Sequence, residues 1–342
     1  MFFMRRDRVA VLTREGEIGH IGPSVLAHAT LQFLSPSRPE ICYGRLERAL
    51  PETNRGDGLP NSLRLFIEQQ GKGRRSIPVD MHSDEKWSRR RAIEVHDETA
   101  DGFLAEYRGD NIFDSPFRYG RHLIDRVWAR CVSQLPPGAT CLDIGCGVGA
   151  HMARLLDQGF EVTGIEPSAE MRRLAAKNIP ANLVSDGSVL QLPASGSSID
   201  FVYAIEVFRY LDARDNAQGH REIVRVLKPG GIYFGTYVNK WALDGFRQLS
   251  QFRKLKERLT GAPRRYHVEF ETPSSLCDKL MAAGFSRVTA HGAMFAPLRV
   301  LHKASPRLGA AVSRLTMPHE TWLSDYGPFR SFAGHLIIVA RR

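Results

Sequence analysis

The residues best suited to chemistry lie between positions 140 and 149, Thr140-Cys141-Leu142-Asp143-Ile144-Gly145-Cys146-Gly147-Val148-Gly149. Thr140 to Ile144 reads as a short buried strand, and three glycines follow it at alternate positions. The stretch from Ala150 to Asp157 then has helical spacing, with Gly159 placed as a helix stop. A strand, a tight glycine turn and a helix make the first half of a nucleotide-binding βαβ unit. The glycines let backbone approach a ligand, and the first turn of the helix offers unpaired N–H groups. Acidic residues recur where further strands should end: Glu166 after Phe160 to Ile165, Asp186 after Ala181 to Val184, and Glu206 after Ile199 to Ile205.

These residues need a scaffold, and the surrounding pattern supplies one. Trp87 to about Tyr107 reads as an amphipathic helix, and Pro116 starts a second whose buried face is Leu123, Ile124, Val127, Trp128 and Val132. Ser168 is an N-cap candidate for a helix through Met171 and Leu174, ending near Asn178. Ile223 to Leu227 marks another helix, and Ile232 to Tyr237 a fifth strand. Thr272 to Ala283 is a helix stopped by Gly284. Ser286 to Ala290 and Leu336 to Ala340 supply the last two strands. Strands alternating with helices imply an α/β fold with a largely parallel sheet covered on both faces. Between residues 240 and 265 lie eight basic residues and two acidic ones. Phe246, Leu249, Phe252, Leu255 and Leu259 recur there at helical spacing, which predicts a basic amphipathic helix. It is expected to act as a lid, with Arg264 and Arg265 holding an anionic acceptor.

The ordered set Leu142-Asp143-Ile144-Gly145-Cys146-Gly147-Val148-Gly149, Gly164-Ile165-Glu166-Pro167-Ser168, Asp186-Gly187, Asp200-Phe201-Val202 and Leu227-Lys228-Pro229-Gly230-Gly231 resembles the class I S-adenosylmethionine-dependent methyltransferases. The nearest subgroup is the small-molecule kind that includes ubiquinone and menaquinone biosynthesis enzymes (methyltransferase type 11). The likeness spans roughly residues 90 to 291 plus the final strand. It implies a Rossmann-like seven-stranded sheet, mostly parallel with its last strand antiparallel, helices on both faces and helical lid insertions. It further implies S-adenosyl-L-methionine as cofactor. Gly145, Cys146 and Gly147 would leave room for the cofactor's methionine and ribose portions, and Asp143 would hold its ammonium. Glu166, followed by Pro167, would accept the ribose hydroxyls. Asp186, beside Gly187, would accept the adenine amino group, and the backbone near Ile205 would border the methionine part. Ser115-Pro116-Phe117-Arg118 is similar to a segment of the ubiquinone O-methyltransferases in which the arginine pairs with the cofactor carboxylate.

Methyl transfer from a sulfonium needs alignment more than it needs functional groups. An oxygen or nitrogen acceptor can still require a general base. His267, Tyr210, Glu206 and His291 are the candidates, with His267 favoured because it follows the basic insertion. Where the resembled enzymes commonly carry Glu-His after the fourth strand, this chain has Arg209-Tyr210, so no base is carried over from there. The segment Ala204-Ile205-Glu206-Val207 lacks the Asn/Asp-Pro-Pro-Tyr/Phe signature expected of base-amine methylation. No metal-ligand cluster stands out. Both points favour a small-molecule acceptor, anionic or aromatic and lipid-like.

The chain of 342 residues has 43% hydrophobic residues, 25% charged residues and a net charge of +10, an ordinary globular composition. A basic balance permits nucleic acid, acidic lipid or an anionic substrate as partner without demanding any. No apolar run reaches the roughly 18 residues of a membrane span, which leaves peripheral membrane contact open. The five cysteines are scattered and odd in number, which predicts reduced thiols and a cytoplasmic location. Residues 1–80 mix Pro, Gly, Ser and Arg irregularly, with short helices possible at Val25 to Leu34 and Ser62 to Gln69. They are expected to be a poorly ordered extension or a mis-called start ahead of Met81. Residues 81–342 then form the catalytic domain: N-terminal helices over 87–133, a cofactor core over 139–240, a lid insertion over 240–270, and C-terminal strands with an insertion over 284–342. Three other readings compete: an RNA methyltransferase, an NAD(P)-dependent oxidoreductase sharing the strand-glycine-helix unit, and a non-catalytic cofactor-binding module. The position of Asp143 and the Leu-Lys-Pro-Gly-Gly turn weigh against the dehydrogenase, and the absence of a basic aromatic platform weighs against RNA.

Overall fold

The computed structural model describes residues 2–5, 8–12, 18–21, 81–261 and 266–342. The chain divides into two units, Met1–Pro78 and Val79–Arg342. In the first, β1 (Phe2–Arg5), β2 (Arg8–Leu12) and β3 (Ile18–Ile21) pair antiparallel in the order β1-β2-β3. Strands of four or five residues are too short to give a periodic signal, and the sequence reading did not anticipate them. The helices expected at 25–34 and 62–69, the reading of the remainder of 1–80, and Arg264 and Arg265 lie outside the described residues.

The second unit begins with α1 (Met81–Arg108) and α2 (Pro116–Val132). Ser115 caps α2: its side chain accepts from the N–H groups of Phe117 and Arg118, and Pro116 sits at the first helical turn, where no N–H is needed. There follow β4 (Thr140–Ile144), α3 (Ala150–Leu156), β5 (Glu161–Ile165), α4 (Ala169–Ala175), β6 (Val184–Ser185), β7 (Ile199–Ala204), α5 (Ala213–Val226) and β8 (Leu227–Val238). The sheet has seven strands in the order β6-β5-β4-β7-β8-β10-β9, where β9 is Arg287–Ala293 and β10 is His335–Arg341. β10 runs antiparallel to both of its neighbours, while β4, β5, β6, β7 and β8 pair parallel. Strand order reverses between β4 and β7, where ligands of open α/β sheets bind.

Period-two alternation builds the two cores. Cys141, Phe201, Tyr203 and Phe234 face one side with Tyr119, Ile124 and Trp128 of α2. Leu142, Ile144, Val202, Ala204 and Tyr233 face the other with Ile223 of α5 and Leu276 of α7 (Pro273–Ala283). Asp200 explains one motif on structural grounds alone. Its Oδ2 accepts from the Thr140 N–H (3.0 Å) and from Lys228 Nζ (2.7 Å), tying β7 to both neighbours.

Two expectations need revision, those for the third strand and for the basic helix, and the C-terminal insertion gains its structure. The third strand is shorter than Ala181 to Val184: Ala181–Leu183 forms a 3-10 turn behind Pro180, and only Val184 and Ser185 pair with β5. Residues 292–333 hold three helices, α8 (Leu298–Ala304), α9 (Pro306–Asp325) and α10 (Gly327–Arg330), set between β9 and β10. Pro318 inside α9 masked its helical character in the sequence. The basic helix is present as α6 (Phe246–Thr260), yet its apolar stripe turns inward only at its start, where Phe246 lines a cavity: Phe252 is 71% exposed and Leu259 is 78% exposed.

Candidate cofactor and acceptor site

The carboxyl ends of β4, β5 and β7 and the amino end of the antiparallel β10 open into a cavity of about 430 Å³, roofed by α1 and α2. That volume lies in the range of small-molecule sites. One wall is the turn after β4. Gly145 has φ +69° and a Cβ there would stand 2.6 Å from Val207 Cγ2, so only glycine fits. Gly147 has φ +54° and lines the cavity, and a Cβ built on it meets nothing within 4 Å. The turn therefore presents bare backbone to an occupant.

Glu166, at the end of β5, is 8% exposed and lines the same wall. Its Oε2 accepts from the Gly147 N–H and its Oε1 from the Ser168 N–H, each at 2.9 Å. Burial raises its pKa, and the two backbone donors oppose that rise. Ser168 also caps α4 through the Met171 N–H, and its hydroxyl donates to Asp97 of α1. One short segment thus fixes the acid, starts a helix and anchors the roof.

Asp143 is 4% exposed, and burial pushes its pKa up to about 8, while the Tyr203 hydroxyl pulls the other way. A carboxyl so placed is protonated at neutral pH until a cation approaches it. Pro167, Gly187 and Ile205 line the cavity, whereas Asp143 lies behind the lining formed by Ile144 and Gly145. Cys146 is buried behind the turn with its thiol pushed far up by burial, so it contributes backbone only. Asp186 stands outside the cavity wall: its side chain is 74% exposed and pairs with Arg172 at 3.4 Å, leaving Gly187 and Ser188 to form the wall.

Arg118 is also turned away. Its Nε donates to the Glu106 carbonyl (3.2 Å), and its guanidinium pairs with the carboxylates of Glu106 and Asp114. Arg121, one turn on, lines the cavity in its place and donates to the Tyr107 hydroxyl. The helical phase already distinguishes them: Phe117, Arg121 and Ile124 share a face at i, i+4 and i+7, and all three line the cavity.

The far half of the cavity is aromatic and charged. His96, Phe103, Tyr210, Tyr266 and Phe246 line it, with Arg209, Arg299, Glu206 and His335. Phe246, the first residue of α6, lies between two guanidiniums, Arg209 at 4.5 Å and Arg299 at 5.1 Å from its ring centroid. Glu206 adopts φ +64°, a strained conformation for a residue with a side chain. Arg209 donates to its Oε2 (2.5 Å), Thr236 donates to its Oε1 (3.1 Å), and His335 Nδ1 stands 3.0 Å from Oε1. Burial pushes Glu206 up, but His335 and Arg209 outweigh it and hold the carboxylate well below the usual range. Arg299 is fixed by Asp244 (2.7 Å) and meets His335 Nε2 at 3.0 Å. A guanidinium can only donate, so a neutral His335 accepts on Nε2 and carries its proton on Nδ1, which is close to Glu206 but outside hydrogen-bond geometry.

Of the proposed bases, Tyr210 lines the cavity, and burial raises its pKa. His267 does not line it: its side chain is 43% exposed and pairs with Glu269 at 2.7 Å. His291 pairs with Asp325 (2.6 Å), away from the cavity lining. Arg299 and His335 carry no sequence signal, because only the β8-β10 pairing brings His335 beside Glu206.

Residues 142–235 match the family model for a methyltransferase domain. A 2-methyl-6-phytyl-1,4-hydroquinone methyltransferase of Synechocystis sp. is 36% identical over 152 residues, which is 39% of this chain and 46% of the relative. A sterol 24-C-methyltransferase of Schizosaccharomyces pombe is 28% identical over 153 residues, 42% of this chain and 36% of the relative. The chain thus spans less than half the length of either relative. Among solved structures, an S-adenosylmethionine-dependent methyltransferase of Thermotoga maritima superposes with a TM-score of 0.49 at 19% identity, covering 72% of this chain and 98% of its own.

Proposed function

We propose that this chain, which carries a methyltransferase domain over residues 142–235, binds S-adenosyl-L-methionine and methylates an oxygen, nitrogen or carbon of a small, lipid-like acceptor. The observation that carries the reading is the bare glycine turn facing the buried Glu166 carboxylate on one cavity wall. When bound, the cofactor supplies a methyl group already activated on a sulfonium. Glu166 accepts the ribose hydroxyls, a role two backbone donors prepare by fixing its rotamer. Asp143 holds the ammonium, and Arg121 rather than Arg118 faces the carboxylate. Gly187 and Ser188, rather than the Asp186 side chain, border the base.

The acceptor occupies the aromatic half between α1 and Phe246. The relatives' names, a phytyl hydroquinone and a sterol methyltransferase, support an acceptor that is apolar over most of its length. The proton of a hydroxyl acceptor passes to His335 Nε2 once the terminal nitrogen of Arg299 shifts from it to the acceptor, with Arg299 Nε still held by Asp244. Glu206 then faces the imidazolium, as the acidic member of a catalytic triad does. This reading moves the base from His267 to His335. A cytoplasmic site of action is supported by the free thiols of Cys131, Cys141, Cys146 and Cys277.

The test is transfer of a labelled methyl group from S-adenosylmethionine into the apolar extract of cells. Labelled product with the wild-type chain, and none with Glu166→Ala, is expected. Label that appears equally with both chains, or with neither, overturns the reading.

A further inference from the structure

The second unit exposes apolar surface that no interior role uses. Trp322, Tyr326 and Phe329 stack on one another with ring centroids 5.4–5.7 Å apart, yet they are 59%, 51% and 41% exposed. Aromatic rings that gather without being covered form a contact surface, since a folded chain leaves large patches bare only where something docks. The cluster continues toward α6. Phe332 is 46% exposed, and its carbonyl accepts from the Leu243 N–H (3.1 Å), which sets exposed Leu243 and Trp241 beside it. Trp241 lies under Lys240 Nζ at 5.7 Å and the Arg247 guanidinium at 5.9 Å.

α6 carries a second exposed apolar surface. At about 3.6 residues per turn, Phe252, Leu255 and Leu259 fall on one stripe, with Lys256 on one flank and Arg258 on the other. All three apolar residues are more than half exposed. The helix holds five cations, Arg247, Arg253, Lys254, Lys256 and Arg258, against the single acid Glu257. An apolar stripe between cations, beside a belt of Trp and Tyr, is the composition of a helix that lies in a bilayer interface.

We propose that α6 and the Trp322 cluster dock the protein on the surface of an anionic phospholipid bilayer. The apolar side chains enter the headgroup boundary, and the lysines and arginines meet the acidic headgroups. Arg253 pairs with Glu257 at 3.6 Å, and a neutral protein partner would match the apolar stripe but would bring no counter-charge to the other four cations. An anionic lipid surface answers both. Among the described residues no helix is long and apolar enough to cross a membrane, so the contact is peripheral. The same helix begins at Phe246 on the cavity wall, so docking would bring the acceptor half of the cavity close to the lipid. The docking itself does not depend on which acceptor is used.

The experiment is sedimentation of the full chain with sucrose-loaded vesicles, either pure phosphatidylcholine or phosphatidylcholine with about 30% phosphatidylserine. The wild-type chain should pellet with the mixed vesicles, stay in solution with the neutral ones, and be released by molar salt. Lys256→Gln with Arg258→Gln should weaken partitioning about tenfold or more, since each cation near such a surface is worth about fivefold. Phe252→Ser with Leu259→Ser should weaken it as much at every salt concentration. Both pairs are exposed, and an unchanged melting temperature confirms that the variants fold. Failure to pellet with the mixed vesicles, or pelleting that both pairs leave unchanged, overturns the proposal. So does a wild-type chain that stays off lipid yet self-associates through this stripe, with the apolar pair abolishing the association.

Discussion

At the scale of single residues, the account rests on two buried acids with different duties. Asp143 has its pKa raised to about 8 by burial, so the folded chain keeps a proton that the unfolded chain releases near the usual aspartate value of about 4. Stability from this group is therefore fully present below about pH 4 and declines as pH rises toward 8, by up to about 1.4 kcal/mol per pH unit. Asp143→Asn should flatten that part of the stability–pH curve, measured by urea denaturation between those limits. An unchanged slope would show that Asp143 is not the proton carrier. The same shift couples to the cofactor. Bringing an ammonium to Asp143 ionises it, so at about pH 6.5, where an α-amino group is still protonated, binding should release close to one proton. Titrations in buffers of different ionisation enthalpy measure that number, and a value near zero would contradict the pairing. The acids themselves were legible in the sequence, because Asp143 and Glu166 follow strands whose apolar runs are plain. Their electrostatics were not legible, since burial by α1 and α2 comes from distant segments.

At the scale of elements, α2 and α6 decide which side chains meet the ligand. The sequence located α2 through Pro116 and its apolar face, but the likeness of Ser115-Pro116-Phe117-Arg118 to a ubiquinone O-methyltransferase segment favoured Arg118 over Arg121. The structure commits Arg118 to Glu106 and Asp114. Arg121→Gln should weaken S-adenosylmethionine binding by about 1.5–3 kcal/mol, the worth of a charged hydrogen bond, and Arg118→Gln should leave it nearly unchanged. Equal losses in the two variants would return the role to Arg118 or remove it from both. On the acceptor side, His335→Asn should lower kcat by about 10²–10⁴-fold, the usual contribution of a general base, with cofactor affinity unchanged. A variant that keeps its rate would leave His335 a structural link between Glu206 and Arg299. His335 and Arg299 were not legible, because β10 reaches Glu206 only through antiparallel pairing at the end of the chain and α8 carries no motif. The period of α6 is legible in the sequence, whereas the outward direction of its stripe beyond Phe246 is not. An amphipathic pattern says that a stripe exists, and tertiary packing says which way it faces.

At the scale of the whole molecule, the sheet order β6-β5-β4-β7-β8-β10-β9 puts the glycine turn at the reversal point and carries the late residues Arg299 and His335 onto the same cavity. The sequence conveyed the parallel core because its strands are bordered by strong local chemistry: glycine or an acid after β4, β5, β6 and β7, and Lys228-Pro229-Gly230-Gly231 at the start of β8. It conveyed little of residues 292–333, where α8, α9 and α10 carry no motif and Pro318 interrupts the pattern. The central claim is that the wall formed by Gly145, Gly147 and Glu166 is an S-adenosylmethionine site. The most direct measurement is calorimetric titration of the full chain with S-adenosylmethionine and, separately, with NAD. The account predicts one equivalent of S-adenosylmethionine bound, an affinity about 10- to 100-fold weaker for a folded Glu166→Ala variant, and no heat from NAD. Binding of NAD in its place, or an affinity for S-adenosylmethionine that Glu166→Ala leaves intact, would contradict it.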